Sequence, residues 1–232
     1  MKRQIIALGG GGFSMEPDNL ALDRYILSQS EKTEPRVCFI PTASGDNPEY
    51  IRRFYEAFQQ LPCKPSHMSL FEPDFKDLRS FILEQDILYV GGGNTRNLMA
   101  LWREWKLDKI IAEAYQNGVI LAGISAGANC WFEEGLTDPL NGPLYAIDGL
   151  GFLSGSVCPH FDGESKRRPS YLTAVGEGSM KEGYGVDDSA ALHFVNEQLS
   201  RTVCSRIDAA VYKINRQEDG TFEEAIPSAY LN

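Results

Sequence analysis

At residues 119–127 the sequence is Val119-Ile120-Leu121-Ala122-Gly123-Ile124-Ser125-Ala126-Gly127, an apolar run that leads directly into a glycine-rich turn. The run predicts a buried strand, and the residues that follow the turn predict the start of a helix. Small residues on both sides of Ser125 allow the sharp bend between such a strand and helix. A serine on this turn is exposed at the end of a strand, so Ser125 is a candidate nucleophile.

Two other glycine clusters also follow short apolar runs. Residues 5–8 lead into Gly9–Gly12, and residues 87–90 lead into Gly91–Gly93. Between the apolar runs, hydrophobic residues at helical spacing predict amphipathic helices. Strands that alternate with such helices predict an α/β fold with a mostly parallel sheet covered on both faces. Because ligands bind at the carboxyl ends of parallel strands, we expect the three glycine-bearing turns to converge on one crevice.

The second half of the chain has a less regular pattern. It predicts a loop with glycine and proline over residues 135–163 and a helix over residues 164–175. Three short strands, partly antiparallel, are predicted at residues 192–195, 201–205 and 210–214. Neither a repeat nor a long linker divides the sequence, so we expect a single domain over residues 1–232.

Composition narrows the range of partners. The net charge is −10 and the isoelectric point is about 4.8, whereas nucleic acids and anionic membranes bind basic surfaces. We therefore expect no nucleic-acid partner and no membrane partner, and a monomer or homodimer that binds a small substrate. Five cysteines without a C-x-x-C pair predict reduced thiols and a cytoplasmic protein. Three dispersed histidines do not suggest a metal site, and no metal or organic cofactor is expected.

A serine nucleophile needs a base and a carboxylate that orients the base. Of the three histidines, His160 is the best candidate base, because it follows Pro159 in a loop whereas His193 lies inside an apolar strand and His67 in a polar connection. Spacing alone does not choose the acid. The candidates are Glu133, Glu134, Asp138, Asp162, Asp187 and Asp188.

The turn Gly91-Gly92-Gly93-Asn94 has three interpretations. Its backbone amides could cradle a phosphate, although the Lys-Ser/Thr ending of a P-loop is missing here and after Gly9–Gly12. It could instead donate an amide to an oxyanion next to Ser125, with Asn94 capping the following helix. The third interpretation is a tight turn without a binding role.

Three motifs together resemble peptidase family S51. They are Val90-Gly91-Gly92-Gly93-Asn94-Thr95, then Gly123-Ile124-Ser125-Ala126-Gly127-Ala128-Asn129, then Pro159-His160-Phe161. That family contains dipeptidase E, an alpha-aspartyl dipeptidase, and more distantly cyanophycinase. The resemblance extends to about residue 195. It implies a three-layer αβα sandwich with a mostly parallel central sheet, related to class I glutamine amidotransferases, with serine in place of cysteine.

The resemblance also implies roles for individual residues. Ser125 would be the nucleophile and His160 the general base, and the backbone amides of Gly92 or Gly93 and of Ala126 would bind the oxyanion. Asp138 would be the third member of the triad, with Glu133 and Glu134 as alternatives. Asp187 and Asp188 follow a strand end that resembles one in the family with an acidic residue near the site, so they are candidates for orienting the base or binding a substrate amine. Arg167 and Arg168 would bind the side chain of an N-terminal aspartate, because an arginine fork suits a carboxylate. The alternative is that they form a pair on the surface of a helix. The residues expected to contact the substrate are Asn94, Arg167, Arg168, Asp187 and Asp188.

The expected function is that of a serine peptidase that hydrolyses short peptides through an acyl-enzyme, with dipeptides bearing N-terminal aspartate as candidate substrates. Two alternatives remain open from the residues. An esterase of the α/β-hydrolase type is compatible with the chain order Ser125, Asp138, His160. A catalytically silent protein of the same fold would use the glycine turns to bind an anion or a nucleotide.

Overall fold

The computed structural model describes residues 1–138, 142–218 and 220–231. The strands are β1 (Gln4–Leu8), β2 (Arg36–Ile40), β3 (Lys64–His67), β4 (Ile87–Val90), β5 (Ile120–Ile124), β6 (Phe132–Thr137), β7 (Tyr145–Asp148), β8 (Leu153–Cys158), β9 (Gly183–Val186), β10 (Ala190–Val195), β11 (Gln198–Cys204), β12 (Val211–Gln217), β13 (Gly220–Ile226) and β14 (Ala229–Tyr230). The α-helices are α1 (Gly12–Met15), α2 (Ala21–Leu27), α3 (Pro48–Phe58), α4 (Leu78–Leu83), α5 (Thr95–Glu104), α6 (Leu107–Gln116), α7 (Ala126–Asn129) and α8 (Arg167–Gly176).

The described part of the chain contains a central eight-stranded sheet in the order β14-β11-β10-β1-β5-β4-β2-β3. The strands β1, β5, β4, β2 and β3 are all parallel to their neighbours within this run, and β10 pairs with β1 in the antiparallel sense. The predicted α/β fold with a mostly parallel central sheet is confirmed. The carboxyl ends of β1, β4 and β5 lie side by side, which brings the three glycine-bearing turns to one edge of the sheet.

Alternating side chains of the central strands supply two separate cores. Ile5 and Ala7 belong to a cluster that includes apolar residues of α5 and α6. Ile6 and Leu8 belong to a second cluster that includes residues of α2 and α3. Because successive side chains of a strand point to opposite faces, an apolar strand needs helices on both sides. The predicted three-layer αβα arrangement is therefore confirmed.

A second sheet lies where the sequence predicts a loop. It has the order β13-β12-β9-β8-β6-β7, and β6, β7 and β8 fall within or overlap residues 135–163. The predicted loop is therefore wrong over these strands, while its residues 139–141 lie outside the described chain. Strands such as β8, with sequence Leu-Ser-Gly-Ser-Val-Cys, lack a continuous apolar run. Their stability comes from pairing with distant strands, which local propensity does not reveal.

Asp23 on α2 is a carboxyl group buried below the first glycine turn. Its Oδ2 accepts a hydrogen bond from the Phe13 amide at 2.8 Å, and burial raises the pKa of Asp23 from 3.8 to about 7. At pH values between 3.8 and about 7, Asp23 is ionised in the unfolded chain, whereas the folded protein keeps the proton on this carboxyl group. Raising the pH through this range therefore removes stability.

We expect Asp23→Asn to remove this pH dependence. The free energy of unfolding of the wild type, measured relative to Asp23→Asn, should fall by on the order of 3 kcal/mol between about pH 4 and about pH 7. Urea unfolding at several pH values measures the difference, with Asp18→Asn at an exposed position as the control. Parallel curves for the wild type and Asp23→Asn would contradict the prediction.

Within the described residues, no helix has both the length and the apolar character needed to cross a membrane.

Candidate active site

Ser125 lies on a sharp turn between β5 and α7. Its backbone angles are φ 57° and ψ −110°, a conformation that costs a serine on the order of 1–3 kcal/mol. A methyl group on Gly123 would lie 2.2 Å from the carbonyl oxygen of Gly127, and one on Gly127 would lie 2.2 Å from that of Val90. Both glycines of the G-x-S-x-G motif are therefore required for the close approach of strand and helix.

The end of β1 brings Ser125 and His160 to the same place. The Ser125 amide donates to the carbonyl of Leu8 at 3.1 Å, and the His160 amide donates to the next carbonyl, that of Gly9, at 3.2 Å. His160 has a φ of 55°, so both candidate residues have backbone conformations that non-glycine residues rarely adopt. Among the described residues, neither Ser125 Oγ nor His160 Nε2 has a hydrogen-bond partner. Each is therefore available to a substrate.

The carboxylate that contacts His160 is Asp188. His160 Nδ1 and Asp188 Oδ1 are 2.6 Å apart, and the two side chains are only 12% and 21% exposed. Glycines make room for this carboxylate, because a methyl group on Gly10 or Gly163 would lie 1.9 Å from one of its oxygens. The contact orients the imidazole with Nδ1 toward the acid and leaves Nε2 without a hydrogen-bond partner among the described residues.

This geometry replaces Asp138 with Asp188 as the candidate acid. Asp138 Oδ1 instead lies 3.4 Å from Arg167 Nη2. The two alternatives lie on β6, where Glu133 accepts a hydrogen bond from the Gly155 amide at 2.7 Å and Glu134 accepts one from the Lys181 amide at 2.8 Å. These three carboxylates thus stabilise the second sheet and its connections.

The candidate oxyanion donors are the amides of Gly93 and Ala126. Gly92 contacts Ser125, since a methyl group on Gly92 would lie 3.3 Å from Ser125 Cβ. However, the Gly92 amide donates to the Tyr50 hydroxyl at 3.2 Å. The amides of Gly93 and Ala126 have no acceptor in the part of the chain that the structure describes. Of the two glycines that the sequence leaves open, the geometry favours Gly93.

Two of the expected substrate contacts have other roles. Asn94 caps α5, because its side chain accepts a hydrogen bond from the Asn97 amide at 2.9 Å. Asp187 is 3% exposed, and its Oδ2 accepts a hydrogen bond from the Ala210 amide at 3.0 Å. Burial raises the pKa of Asp187 from 3.8 to about 6. Asp187 thus faces the protein interior, and only its neighbour Asp188 faces His160.

The two arginines at the start of α8 are already engaged. Arg167 is buried and donates to the Leu136 carbonyl and to Glu164, each at 2.7 Å. The Arg168 guanidinium forms an ion pair with Glu223 at 2.5 Å and lies 4.8 Å from the ring centre of Tyr212. Both guanidinium groups therefore have partners within the protein, and the binding of an acidic substrate by this pair stays a prediction. The arginines attach α8 to neighbouring strands and loops.

A polar cavity of about 470 Å³ lies beside the His160 loop. Its lining includes Gly163, which borders the Asp188 carboxylate. Asp138, Glu164 and Lys166 also line the cavity. Lys166 forms no ion pair with any described residue, so its ammonium group is available to a ligand.

Sequence reasoning missed two groups at this site. Tyr50 on α3 binds the Gly92 amide, and Arg206 binds the Asp188 carbonyl at 3.0 Å. Neither residue lies in a recognisable motif, so no signal in the single sequence identifies them. In the described chain, no group of three or more His, Cys, Asp or Glu side chains could hold a metal ion.

Comparisons with known proteins give a family match and relatives over most of the chain. A sequence model of "Peptidase family S51" matches residues 5–202. The "Uncharacterized peptidase YgaJ" of Bacillus subtilis (strain 168) is 59% identical over 229 residues, which cover 99% of each chain. "Peptidase E" of Haemophilus influenzae (strain PittGG) is 26% identical over 220 residues, which cover 87% of each chain.

Solved structures share the fold. A putative peptidase E protein from Listeria monocytogenes EGD-e has a TM-score of 0.65 at 18% identity, over 88% of this chain and 99% of its own. A peptidase from an acI-B1 actinobacterium has a TM-score of 0.68 at 18% identity, over 98% of this chain and 95% of its own. The arrangement of layers is therefore one that known peptidases use.

Proposed function

Because the chain belongs to peptidase family S51 and is a serine-type peptidase, we propose that it hydrolyses short peptides with Ser125, His160 and Asp188 as its catalytic triad. The observation that carries this proposal is the 2.6 Å contact between His160 and Asp188, made next to the strained turn of Ser125. Family membership argues against an α/β-hydrolase esterase and against a silent binding protein.

The proposed reaction begins when Ser125 Oγ attacks the scissile carbonyl and His160 Nε2 accepts the hydroxyl proton. Asp188 stabilises the imidazolium that forms. The amides of Gly93 and Ala126 donate to the developing oxyanion. His160 then gives the proton to the leaving amine, and the acyl-enzyme is hydrolysed by a water molecule that His160 activates. Ser125 and His160 are not hydrogen-bonded in the structure, and such contacts often tighten only when substrate is bound.

The polar cavity beside Gly163 is a candidate site for one end of a small peptide, away from the scissile bond, because neither Ser125 nor His160 is among its lining residues. Its volume of about 470 Å³ lies in the range of small-molecule sites, about 300–1,000 Å³. Since Arg167 and Arg168 are engaged elsewhere, Lys166 is the candidate partner for a substrate carboxylate. N-terminal aspartate remains a candidate on this basis, with Lys166 in the role that the sequence suggests for the arginines.

Two measurements test the proposed function. A sulfonyl fluoride should form an adduct on Ser125, detected by intact-mass spectrometry and peptide mapping. A panel of Asp-X, Glu-X and neutral dipeptides should then be cleaved by the wild type and not by His160→Ala. No adduct and no cleavage of any peptide would contradict the proposal.

Lys166→Gln should lower kcat/KM for acidic peptides only, with Lys109→Gln at an exposed position as the control.

Gly163→Ala should reduce activity without unfolding the protein. The new methyl group would lie 1.9 Å from Asp188 Oδ2, so the carboxylate must turn away from His160. Because the obstacle is the end of a side chain, the backbone need not move and the melting temperature should change little. We expect kcat to fall about 10- to 100-fold, the effect of a misplaced catalytic group.

The matched control for Gly163→Ala is Gly176→Ala. A methyl group on Gly176 would meet its neighbours at an ordinary 3.5 Å, so this variant should keep wild-type kcat. Dipeptide kinetics and thermal melts of both variants check the prediction. Equal kcat values for Gly163→Ala and Gly176→Ala would contradict it.

A further inference from the structure

The peptide groups of Asp188 are held on both sides by one ion pair. The Asp188 amide donates to Asp162 Oδ1 at 2.8 Å, and the Asp188 carbonyl accepts from Arg206 Nη2 at 3.0 Å. Arg206 also forms an ion pair with the other oxygen of Asp162. The three contacts form a closed ring around the backbone of Asp188.

This ring joins three segments that are distant in sequence. Asp162 follows His160 by two residues, Asp188 follows β9, and Arg206 follows β11. The neighbours of Asp188 are held by other elements, since the Ser189 amide donates to the Gly10 carbonyl and the Asp187 amide to the Ala210 carbonyl, each at 3.1 Å. Among the described residues, the amide and carbonyl of Asp188 itself are bound only by Asp162 and Arg206. The side chain of Asp187, one residue earlier, points into the protein and binds the Ala210 amide. The direction of the Asp188 carboxylate therefore depends on how its backbone is held.

We propose that Asp162 and Arg206 are positioning residues that hold the Asp188 carboxylate against His160 Nδ1. The proposal rests on the proposed function, in which Asp188 orients the base. Asp162 binds the Asp188 amide and so fixes it relative to the loop that carries His160. Arg206 binds the Asp188 carbonyl and fixes the other side of the same residue. Their opposite charges leave the pair neutral, so the pair restrains Asp188 without adding a net charge to the site.

Removal of either partner should loosen Asp188 and slow catalysis. We expect kcat for the best dipeptide to fall about 10- to 100-fold in Arg206→Ala and in Asp162→Ala, with little change in KM. The double variant should lose no more than the stronger single variant, because both act on the same turn. Arg206→Lys, which keeps a donor and the charge, should recover part of the loss.

A spectroscopic measurement separates positioning from a general loss of stability. The proton between His160 Nδ1 and Asp188 should give a low-field NMR resonance, assigned by its loss in His160→Ala. This resonance should weaken or disappear in Arg206→Ala. The matched control is Arg79→Ala, which removes a similar ion pair with Glu113 that does not touch Asp188. It should leave the resonance and kcat unchanged.

The outcomes test the positioning role of Arg206 and Asp162 separately from the proposed function. If Arg206→Ala keeps both the resonance and the kcat of Arg79→Ala, the positioning role is overturned. It is also overturned if kcat falls while the resonance is intact, since Arg206 then acts elsewhere. If the wild type cleaves no peptide, the proposed function fails, but the resonance still tests whether Arg206 and Asp162 hold Asp188.

Discussion

Replacing Ser125 with alanine is expected to lower kcat by about 10⁶-fold, the loss seen when a catalytic serine is removed from other hydrolases. Ser125 Oγ has no hydrogen-bond partner among the described residues and lies next to Gly92, so its loss removes the nucleophile without breaking another contact. KM for a dipeptide should change little, because the cavity and the glycine turns remain. Single-turnover and steady-state assays with the best dipeptide measure the effect.

The matched variant Ser125→Gly separates catalysis from strain. The positive φ of Ser125, 57°, is unfavourable for serine and alanine but not for glycine. Ser125→Gly should therefore be as inactive as Ser125→Ala and more stable by about 1 kcal/mol or more. For a chain of this length that corresponds to a rise in melting temperature of about 2–4 °C. Substantial activity in either variant would refute the role of Ser125.

The second large effect is expected for Asp188→Asn, which should lower kcat by about 10⁴-fold, as in other serine hydrolases whose orienting aspartate is replaced. An asparagine amide can donate to His160 Nδ1, and the proton is then held on Nε2. In that tautomer the imidazole cannot accept the proton of Ser125. The size of the variant side chain is nearly unchanged, so a thermal melt should resemble that of the wild type.

Asp138→Asn is the control for this variant, because it changes the carboxylate that the sequence suggests as the acid. Asp138 contacts Arg167 and not His160, so kcat should stay close to the wild-type value, and any effect on the cavity that Asp138 lines should appear in KM. Steady-state kinetics of the two variants, side by side, decide between the carboxylates. A larger loss in Asp138→Asn than in Asp188→Asn would show that the acid is misassigned.

The sequence alone predicts the central architecture because the signals for it are local. The apolar run before Ser125 and the glycines around it occur within nine residues, and the structure has β5, a turn and α7 there. The parallel strands β1, β2 and β4 likewise have short apolar runs bounded by glycine or proline. Strands buried on both faces carry such continuous apolar runs, and these runs can be recognised without tertiary information.

The second sheet could not be predicted in the same way. Its strands β6 and β8 each contain a glycine, and β6, β7 and β8 all carry polar side chains, so the local pattern there is typical of a loop. Parallel pairing of β6 with β8 and of β8 with β9 stabilises them. Because these contacts connect residues far apart in the chain, only the assembled fold determines that the segment is extended.

The candidate functional side chains also fall into two groups, those that the sequence can suggest and those that only the fold identifies. Ser125 and His160 can be proposed from sequence, because each lies in a short motif whose backbone shape follows from glycine or proline. The choice of Asp188 over Asp138 cannot, because both aspartates are within 30 residues of His160 and hydrogen-bond partners depend on three-dimensional position. The engagement of Arg167 and Arg168 is likewise invisible in sequence. Local chemistry therefore determined which residues can act, and tertiary packing decided which charged groups meet.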